Sequence, residues 1–259
     1  MTWAFNLSLA GYLTALLFSA ASLFSKGRVL ARAATGFLAA GVVVQTVYMI
    51  LRWIAAGRAP FSNMFESMVL FVWALVVVYL VLQFRHKIPV LAAATALLAA
   101  LTLAYASTYE AEIKPLMPAL RSNWLTVHVF TCFLGYGAFA VGALSSLGYL
   151  VARKADLQGA FDTITAKTIS FGFLFLTAGI ITGAVWANSA WGTYWSWDPK
   201  ETWSLITWFV YAVFLHCRYM RGWKGKRAAW ISVAGFASVV FTYYGVNFLL
   251  SGLHSYAAS

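Results

Sequence analysis

The chain has 259 residues, of which 62% are hydrophobic and only 10% carry a charge, against about 25% charged residues in an ordinary soluble domain. This composition excludes a soluble globular protein and indicates an all-α, polytopic integral membrane protein. The net charge of +11 does not point to nucleic acid, because the basic residues are spread over short loops between apolar segments.

Nearly uncharged segments recur along the whole chain and predict eight transmembrane helices. Most of them reach the ~20 residues that a helix needs to cross a hydrocarbon core of ~30 Å. The seventh falls a little short, and Arg218 can lengthen it by extending its charged head to the membrane interface. The eight segments are residues 1–25, 33–51, 67–84, 88–109, 122–152, 168–197, 202–217 and 228–259.

The charges between these segments are unevenly distributed. One alternating set of loops holds thirteen basic residues against Asp156 and Asp162, whereas the other set holds five basic and five acidic residues. Cytoplasmic loops are enriched in Lys and Arg, so the first set is predicted to face the cytoplasm. Both termini then lie on the outer side, and residues 5–24 are expected to form a retained first helix rather than a signal peptide.

An aromatic run at residues 191–203 contains four tryptophans within thirteen residues: Trp191, Trp195, Trp197 and Trp203. Indole rings stack on other π-systems, so this run suits a large planar aromatic ligand. The alternative is a membrane-interface aromatic belt, although a belt would scatter its tryptophans over several loops. We therefore expect one transmembrane domain over residues 1–259 with an outward loop at 188–203.

Asp198 in this loop has two possible roles. It can orient the loop or a ligand, or it can cap the next helix, because Asp followed by Pro199 and then Glu201 fits the pattern of a helix start. A second polar element lies earlier in the chain, where Glu66 close to Asn63 could organise a loop hydrogen-bond network.

Four histidines differ in their predicted depth. His128 lies about one turn into the fifth helix and His254 follows the eighth, so both flank the predicted outer face. Two imidazoles approaching from opposite sides would complete an axial pair on a haem iron. His216 lies about 20 Å deeper on the seventh helix, where an ionisable group indicates a functional site. His86 is interpreted as part of a solvated basic loop.

The aromatic run resembles a known signature. The pattern Trp-Gly-x-x-Trp-x-Trp-Asp-Pro-Lys-Glu-Thr-Trp is similar to the tryptophan-rich "WWD" motif of the haem-handling superfamily that includes CcsA (also called ResC), CcmC and CcmF. Three further elements, at residues 59–67, 122–128 and 252–256, resemble the CcsA branch. The resemblance covers nearly the whole chain.

This resemblance implies a membrane subunit of the System II cytochrome c synthase. Haem b would be ligated by His128 and His254 beside the WWD loop, while His216 would belong to an inner haem site or channel. The tryptophans at 191, 195, 197 and 203 would fix the porphyrin plane, with Asp198 close by. Haem propionates would need a cation, for which the predicted outer face offers Arg52, Arg58, Arg121 and Lys200.

The resemblance also implies partners and a location. The partners are a CcsB/ResB-type membrane protein, which is one possible source of a second inner histidine, apocytochrome c with its Cys-x-x-Cys-His segment, and indirectly a thiol-reducing thioredoxin-like protein. The location is the bacterial inner membrane or a thylakoid membrane. Two alternatives stay open: a CcmC-type carrier that delivers haem without attaching it, and a transporter of another aromatic solute.

Overall fold

A computed structural model describes residues 1–25, 28–83 and 88–250. All regular elements in these ranges are helical, which confirms the predicted fold class. A short 3₁₀ turn, Pro118–Leu120, precedes the fifth helix, and a π-helical turn, Phe241–Gly245, follows the eighth. The α-helices are α1 (Thr2–Phe24), α2 (Arg28–Ala56), α3 (Met64–Gln83), α4 (Pro89–Ala106), α5 (Asn123–Val151), α6 (Ala155–Trp191), α7 (Pro199–Tyr219), α8 (Lys226–Val240) and α9 (Val246–Leu249).

Seven helical segments in the described part of the chain are long and apolar enough to cross a membrane: α1 to α6 and the continuous segment Lys226–Leu249. The protein is therefore a multi-pass membrane protein. The predicted seventh span, α7, has 21 residues but begins with charged residues and ends with His216 and Arg218, and it is not among the seven. The eight-span count and the side of the termini stay predictions.

The residues predicted as one domain form two compact units, of which the first is Met1–Lys114 and the second begins at Pro115. In the first unit α1 packs along α2 and α4, and α3 packs against α4. Gln45 is fully buried there: it accepts a hydrogen bond from the Tyr12 hydroxyl, and its amide donates to the Val69 carbonyl at 2.9 Å. One buried amide thus links α1, α2 and α3.

In the second unit α5 packs along α6. Small residues allow the approach, because a Cβ placed on Gly135 would lie 3.0 Å from the Gly172 carbonyl oxygen and 3.2 Å from the Leu176 amide nitrogen. Glycines at helix contacts are the usual way to bring two backbones together in membrane proteins.

The far end of the second unit, where α6 begins and α7 ends, is tied by an ion pair. The Arg218 guanidinium contacts both carboxylate oxygens of Asp162, at 3.0 and 2.6 Å, and donates to the Trp223 carbonyl. The Gly225 amide donates to the same carboxylate. Arg218 is thus held by a protein partner, and the extension of its charged head to the membrane interface stays a prediction.

The glycine contact between α5 and α6 predicts a position-specific stability effect. Gly135→Ala is expected to lower the free energy of unfolding by about 1–3 kcal/mol, because the methyl group meets backbone that cannot rotate away. Gly159→Ala in α6 is the matched control, since a Cβ there has nothing within 4 Å, and it is expected to be neutral or slightly stabilising. Thermal unfolding in detergent checks both. Equal effects of the two variants would contradict the close contact.

Candidate functional site

His128 lies in the second turn of α5 and is half-buried. Its Nδ1 is 2.7 Å from the Gly179 carbonyl oxygen on α6, and since a carbonyl can only accept, Nδ1 must donate. The neutral ring then carries its lone pair on Nε2, the arrangement in which proteins present histidine to a metal. A Cβ on Gly183 would lie 2.5 Å from Nδ1, so the absent side chain leaves space for the ring.

A tryptophan that lies outside the 191–203 run connects His128 to that run. The His128 ring is stacked with Trp186 of α6, with 6.2 Å between ring centroids and 16° between planes. Trp186 is 3% exposed and in turn meets the edge of Trp191 at 4.7 Å. The motif alone gave no signal for Trp186. Trp186 precedes Trp191 by five residues, whereas residues on one face of a helix are usually three or four apart. The spacing therefore does not predict that the two rings are neighbours.

The loop itself is shorter than predicted. α6 extends to Trp191 and ends at Gly192, whose φ of +80° provides the left-handed cap, so the irregular segment is residues 192–198. Trp195 and Trp197 form an edge-to-face pair with centroids 5.7 Å apart. Trp197 has a φ of +59°, which is rare for a bulky side chain and persists only where the surrounding structure imposes it. It is also 68% exposed.

Glu201 holds this strained turn. One of its carboxylate oxygens accepts from the Ser196 amide at 2.8 Å, the Ser196 hydroxyl at 3.2 Å and the Asp198 amide at 3.2 Å. Asp198 is buried, and its own carboxylate accepts from the Lys200 amide. Together they form a capping box at the start of α7. The helix-cap interpretation of Asp198 is therefore confirmed, while a role toward a ligand stays a prediction.

Lys200 and Trp203 lie in the first turns of α7 and contact α9 and the π-helical turn before it. The Lys200 ammonium donates to the Asn247 side-chain oxygen at 2.7 Å, and Asn247 donates to the Tyr243 carbonyl. Burial lowers the pKa of Lys200 to about 8. The Trp203 ring packs on Phe241 of the π-helical turn, with centroids 4.1 Å apart.

Two other basic residues considered from sequence have different surroundings. In the first unit, Arg52 and Arg58 both contact the fully buried Glu66 carboxylate, at 2.8 and 3.1 Å. They also donate to carbonyls of the segment after α4, at Ala111 and Lys114. Their guanidinium groups are therefore used to hold loops. Glu66 also accepts from Ser62, and its amide donates to Asn63, which confirms the predicted loop network.

The remaining predicted residues are not brought to His128 in the part of the chain that the structure describes. His216 is exposed and lies near the end of α7, about 20 Å along the helix from Trp203. His254 and His86 lie outside the described residues. Within those residues there is no cluster of three or more His, Cys, Asp or Glu side chains that could hold a metal ion.

The helices that are suited to crossing a membrane define a multi-pass membrane protein. Its candidate functional site is a histidine packed beside tryptophan rings. The chain matches the family "Cytochrome C assembly protein" over residues 61–254, and it belongs to that family. The expected CcsA-type membership is confirmed by curated relatives.

Several relatives, three of which follow, carry the name "Cytochrome c biogenesis protein CcsA". The protein from Prochlorococcus marinus is 38% identical and the match covers 85% of this chain and 82% of the relative. The protein from Synechococcus sp. is 41% identical, covering 82% of each chain. The protein from Guillardia theta is 38% identical, covering 82% of this chain and 81% of the relative.

A solved structure has the same fold. It is described as "Cytochrome c Heme Lyase CcmF" and superimposes on 97% of this chain with a TM-score of 0.73 at 18% sequence identity. This chain spans 46% of that protein, so the likeness concerns the fold of the shared part.

The capping box predicts that Glu201 stabilises the strained loop. Glu201→Ala is expected to lower the free energy of unfolding by about 1–2 kcal/mol, because three donors lose their acceptor. Tyr194 is 60% exposed in this loop, so limited chymotrypsin cleavage there should also accelerate. The control is Glu110→Gln, whose exposed ion pair with Lys114 contributes little. An unchanged cleavage rate in Glu201→Ala would contradict the assignment.

Proposed function

We propose that this chain is a membrane subunit of a cytochrome c synthase that binds haem b beside the tryptophan loop and presents it to apocytochrome c. The observation that carries the proposal is the seating of His128. The hydrogen bond from its Nδ1 to Gly179 leaves the lone pair on Nε2, and the ring belongs to an aromatic series that continues through Trp186 to Trp191. Family membership in cytochrome c assembly supports the same reading.

The donor set suits haem as the substrate of the site. Imidazole nitrogen is a common axial ligand of haem iron, and indole faces stack on a flat π-system such as a porphyrin. The exposed Trp197, held in a left-handed conformation by the capping box, is a further surface for stacking. A belt that only marks the membrane interface does not require a tryptophan in a strained backbone conformation.

The chemistry needs little from the protein beyond positioning. Each thiol of the Cys-x-x-Cys-His segment adds across a haem vinyl group: the sulfur forms a thioether bond to one vinyl carbon and the other carbon receives the proton, so no electron donor is consumed. The reactivity belongs to the haem and the thiols. Holding the haem plane and its iron makes the two additions nearly intramolecular.

The proposal of a second axial ligand rests on the family resemblance, because His254 lies outside the described residues. His254 is proposed to complete the pair with His128 until the histidine of apocytochrome c replaces one of them. His216 is proposed to serve an inner site, to which a CcsB/ResB-type partner would contribute a histidine. The tryptophan loop is proposed to face the outer side of a bacterial inner membrane or of a thylakoid membrane.

Lys200 is proposed as the cation that binds a haem propionate. It lies three residues from Trp197, and its ammonium donates to the side-chain oxygen of Asn247, which orients the group. The Asp198 carboxylate favours the charged form of the ammonium. Arg52 and Arg58 are instead engaged by Glu66. Arg121 is exposed after the short 3₁₀ turn, where solvent weakens its interactions.

The synthase proposal predicts both a spectrum and a product. Purified protein is expected to carry six-coordinate haem, and His128→Ala is expected to weaken haem affinity about tenfold or more, because a metal ligand is lost. With the CcsB/ResB-type partner and a Cys-x-x-Cys-His peptide, the wild type should form thioether-linked haem, detected by mass spectrometry. His86→Ala is the control, since His86 is predicted to lie in a solvated loop.

Three results would contradict parts of this proposal. Full haem retention in His128→Ala would remove the ligand assignment. Transfer of haem to the peptide without a thioether would favour the CcmC-type carrier. Absence of haem from protein produced in haem-replete cells would favour a transporter of another aromatic solute.

The propionate proposal predicts a pH dependence of haem affinity. A bound carboxylate favours the charged ammonium, and the pKa of Lys200 without it is about 8. Affinity is therefore expected to be constant below this pH and to fall above it, because binding then requires uptake of a proton. Lys200→Met should weaken binding about tenfold at neutral pH and remove the dependence, whereas Lys200→Arg should bind at all these pH values.

Haem titrations from neutral to alkaline pH measure this effect. Lys114→Met is the matched control, because Lys114 is exposed and pairs with Glu110. If Lys200→Met keeps the affinity and the pH profile of the wild type, Lys200 does not bind the propionate. This conclusion holds even if the absorption spectrum shows that haem is bound at His128.

A further inference from the structure

Cys132 is a buried thiol that lies one helical turn after His128 on α5. It is 7% exposed, and a spacing of four residues places the two side chains on one face of the helix. Its Sγ is 3.7 Å from His128 Nδ1. The thioether chemistry gives this thiol no role, although it contacts the ring nitrogen that sets the tautomer of the proposed ligand.

Two glycines of α6 receive these two side chains. A Cβ placed on Gly179 would lie 2.5 Å from Cys132 Sγ, and a Cβ on Gly183 would lie 2.5 Å from His128 Nδ1. The glycines are four residues apart on α6, as the histidine and the cysteine are on α5. Each α5 side chain therefore lies over one α6 glycine, and the sulfur fills the space one turn along from the imidazole ring.

The sulfur is a second acceptor for the Nδ1 proton. The Gly179 carbonyl oxygen, 2.7 Å from Nδ1, is the main acceptor. Because Nδ1 donates to this carbonyl, Cys132 Sγ can only accept from the same N–H. Thiol sulfur is a weak acceptor, and one N–H can be shared between two acceptors. The ring is thus held on its Nδ1 side by a backbone oxygen and by a side-chain sulfur.

We propose that Cys132 is a positioning residue for His128, acting through a weak N–H···S hydrogen bond and through the volume of its sulfur. This inference rests on the proposed function, in which His128 Nε2 binds haem iron. Acceptors on the far nitrogen of a metal-bound imidazole orient the ring and raise its basicity. A more basic axial ligand stabilises ferric over ferrous iron, so the thiol lowers the reduction potential of the bound haem.

Redox titration of the haem-loaded protein tests this role. Cys132→Ala is expected to raise the haem potential by about 30 mV, which is about a threefold change in the ratio of ferric to ferrous affinity at 59 mV per tenfold. Cys132→Ser keeps an acceptor on this side chain and should return the potential toward that of the wild type. Cys217→Ala is the matched control, because this second thiol lies in the last turn of α7, and it should leave the potential unchanged.

The potential separates positioning from packing. A thiol that serves packing alone would lower the melting temperature in Cys132→Ala without moving the haem potential. An unchanged potential in Cys132→Ala, or equal shifts in the alanine and serine variants, would therefore overturn the inference while leaving His128 as the proposed ligand.

Proton NMR of the unliganded protein, labelled with ¹⁵N-histidine, tests the contact without haem. The Nδ1 proton resonance of His128, identified by its loss in His128→Ala, is expected to move upfield in Cys132→Ala, because one acceptor is removed. It should stay in place in Cys217→Ala. If Cys132→Ala leaves this resonance unmoved, Cys132 does not hold the ring and the inference fails whatever the haem result. An upfield shift together with full haem retention in His128→Ala would confirm the contact and contradict the proposed function instead.

Discussion

The close contact between α5 and α6 is the constraint on which the candidate site depends. Glycines along both helices let the backbones approach until the Gly179 carbonyl reaches the ring of His128. A helix carbonyl in an α-helix is normally engaged by its own ladder, so a side chain can share it only when packed tightly against it. The same contact brings Trp186 against the His128 ring. Packing of small residues therefore sets both the tautomer and the orientation of the histidine.

A second constraint acts on the loop that follows α6. The polypeptide turns through Gly192 and the strained Trp197 before the capping box of Asp198 and Glu201 starts α7. Capping groups satisfy amides that a helix start leaves open, and here they also hold an indole outward. Polar contacts of the loop thereby position its tryptophans.

Burial divides the basic residues by role. Arg52 and Arg58 face one carboxylate, Glu66, and several loop carbonyls, so both guanidinium groups have acceptors where they are buried. Lys200 is buried beside Asn247, and its pKa is lowered because desolvation outweighs the opposite effect of the Asp198 carboxylate. These three basic residues carry the same charge, but they differ in what they can bind because their neighbouring groups differ.

The sequence by itself determined the helical membrane class, the position of the aromatic run and the second-turn location of His128, and it offered the cap at Asp198 as one of two roles. These follow from composition and from spacing along one chain, which local chemistry governs. Only the tertiary structure decided that Trp186 joins His128 to the run, that Trp203 packs on Phe241, and that the arginines serve loops. These depend on contacts between helices far apart in sequence, and no local pattern specifies which faces meet.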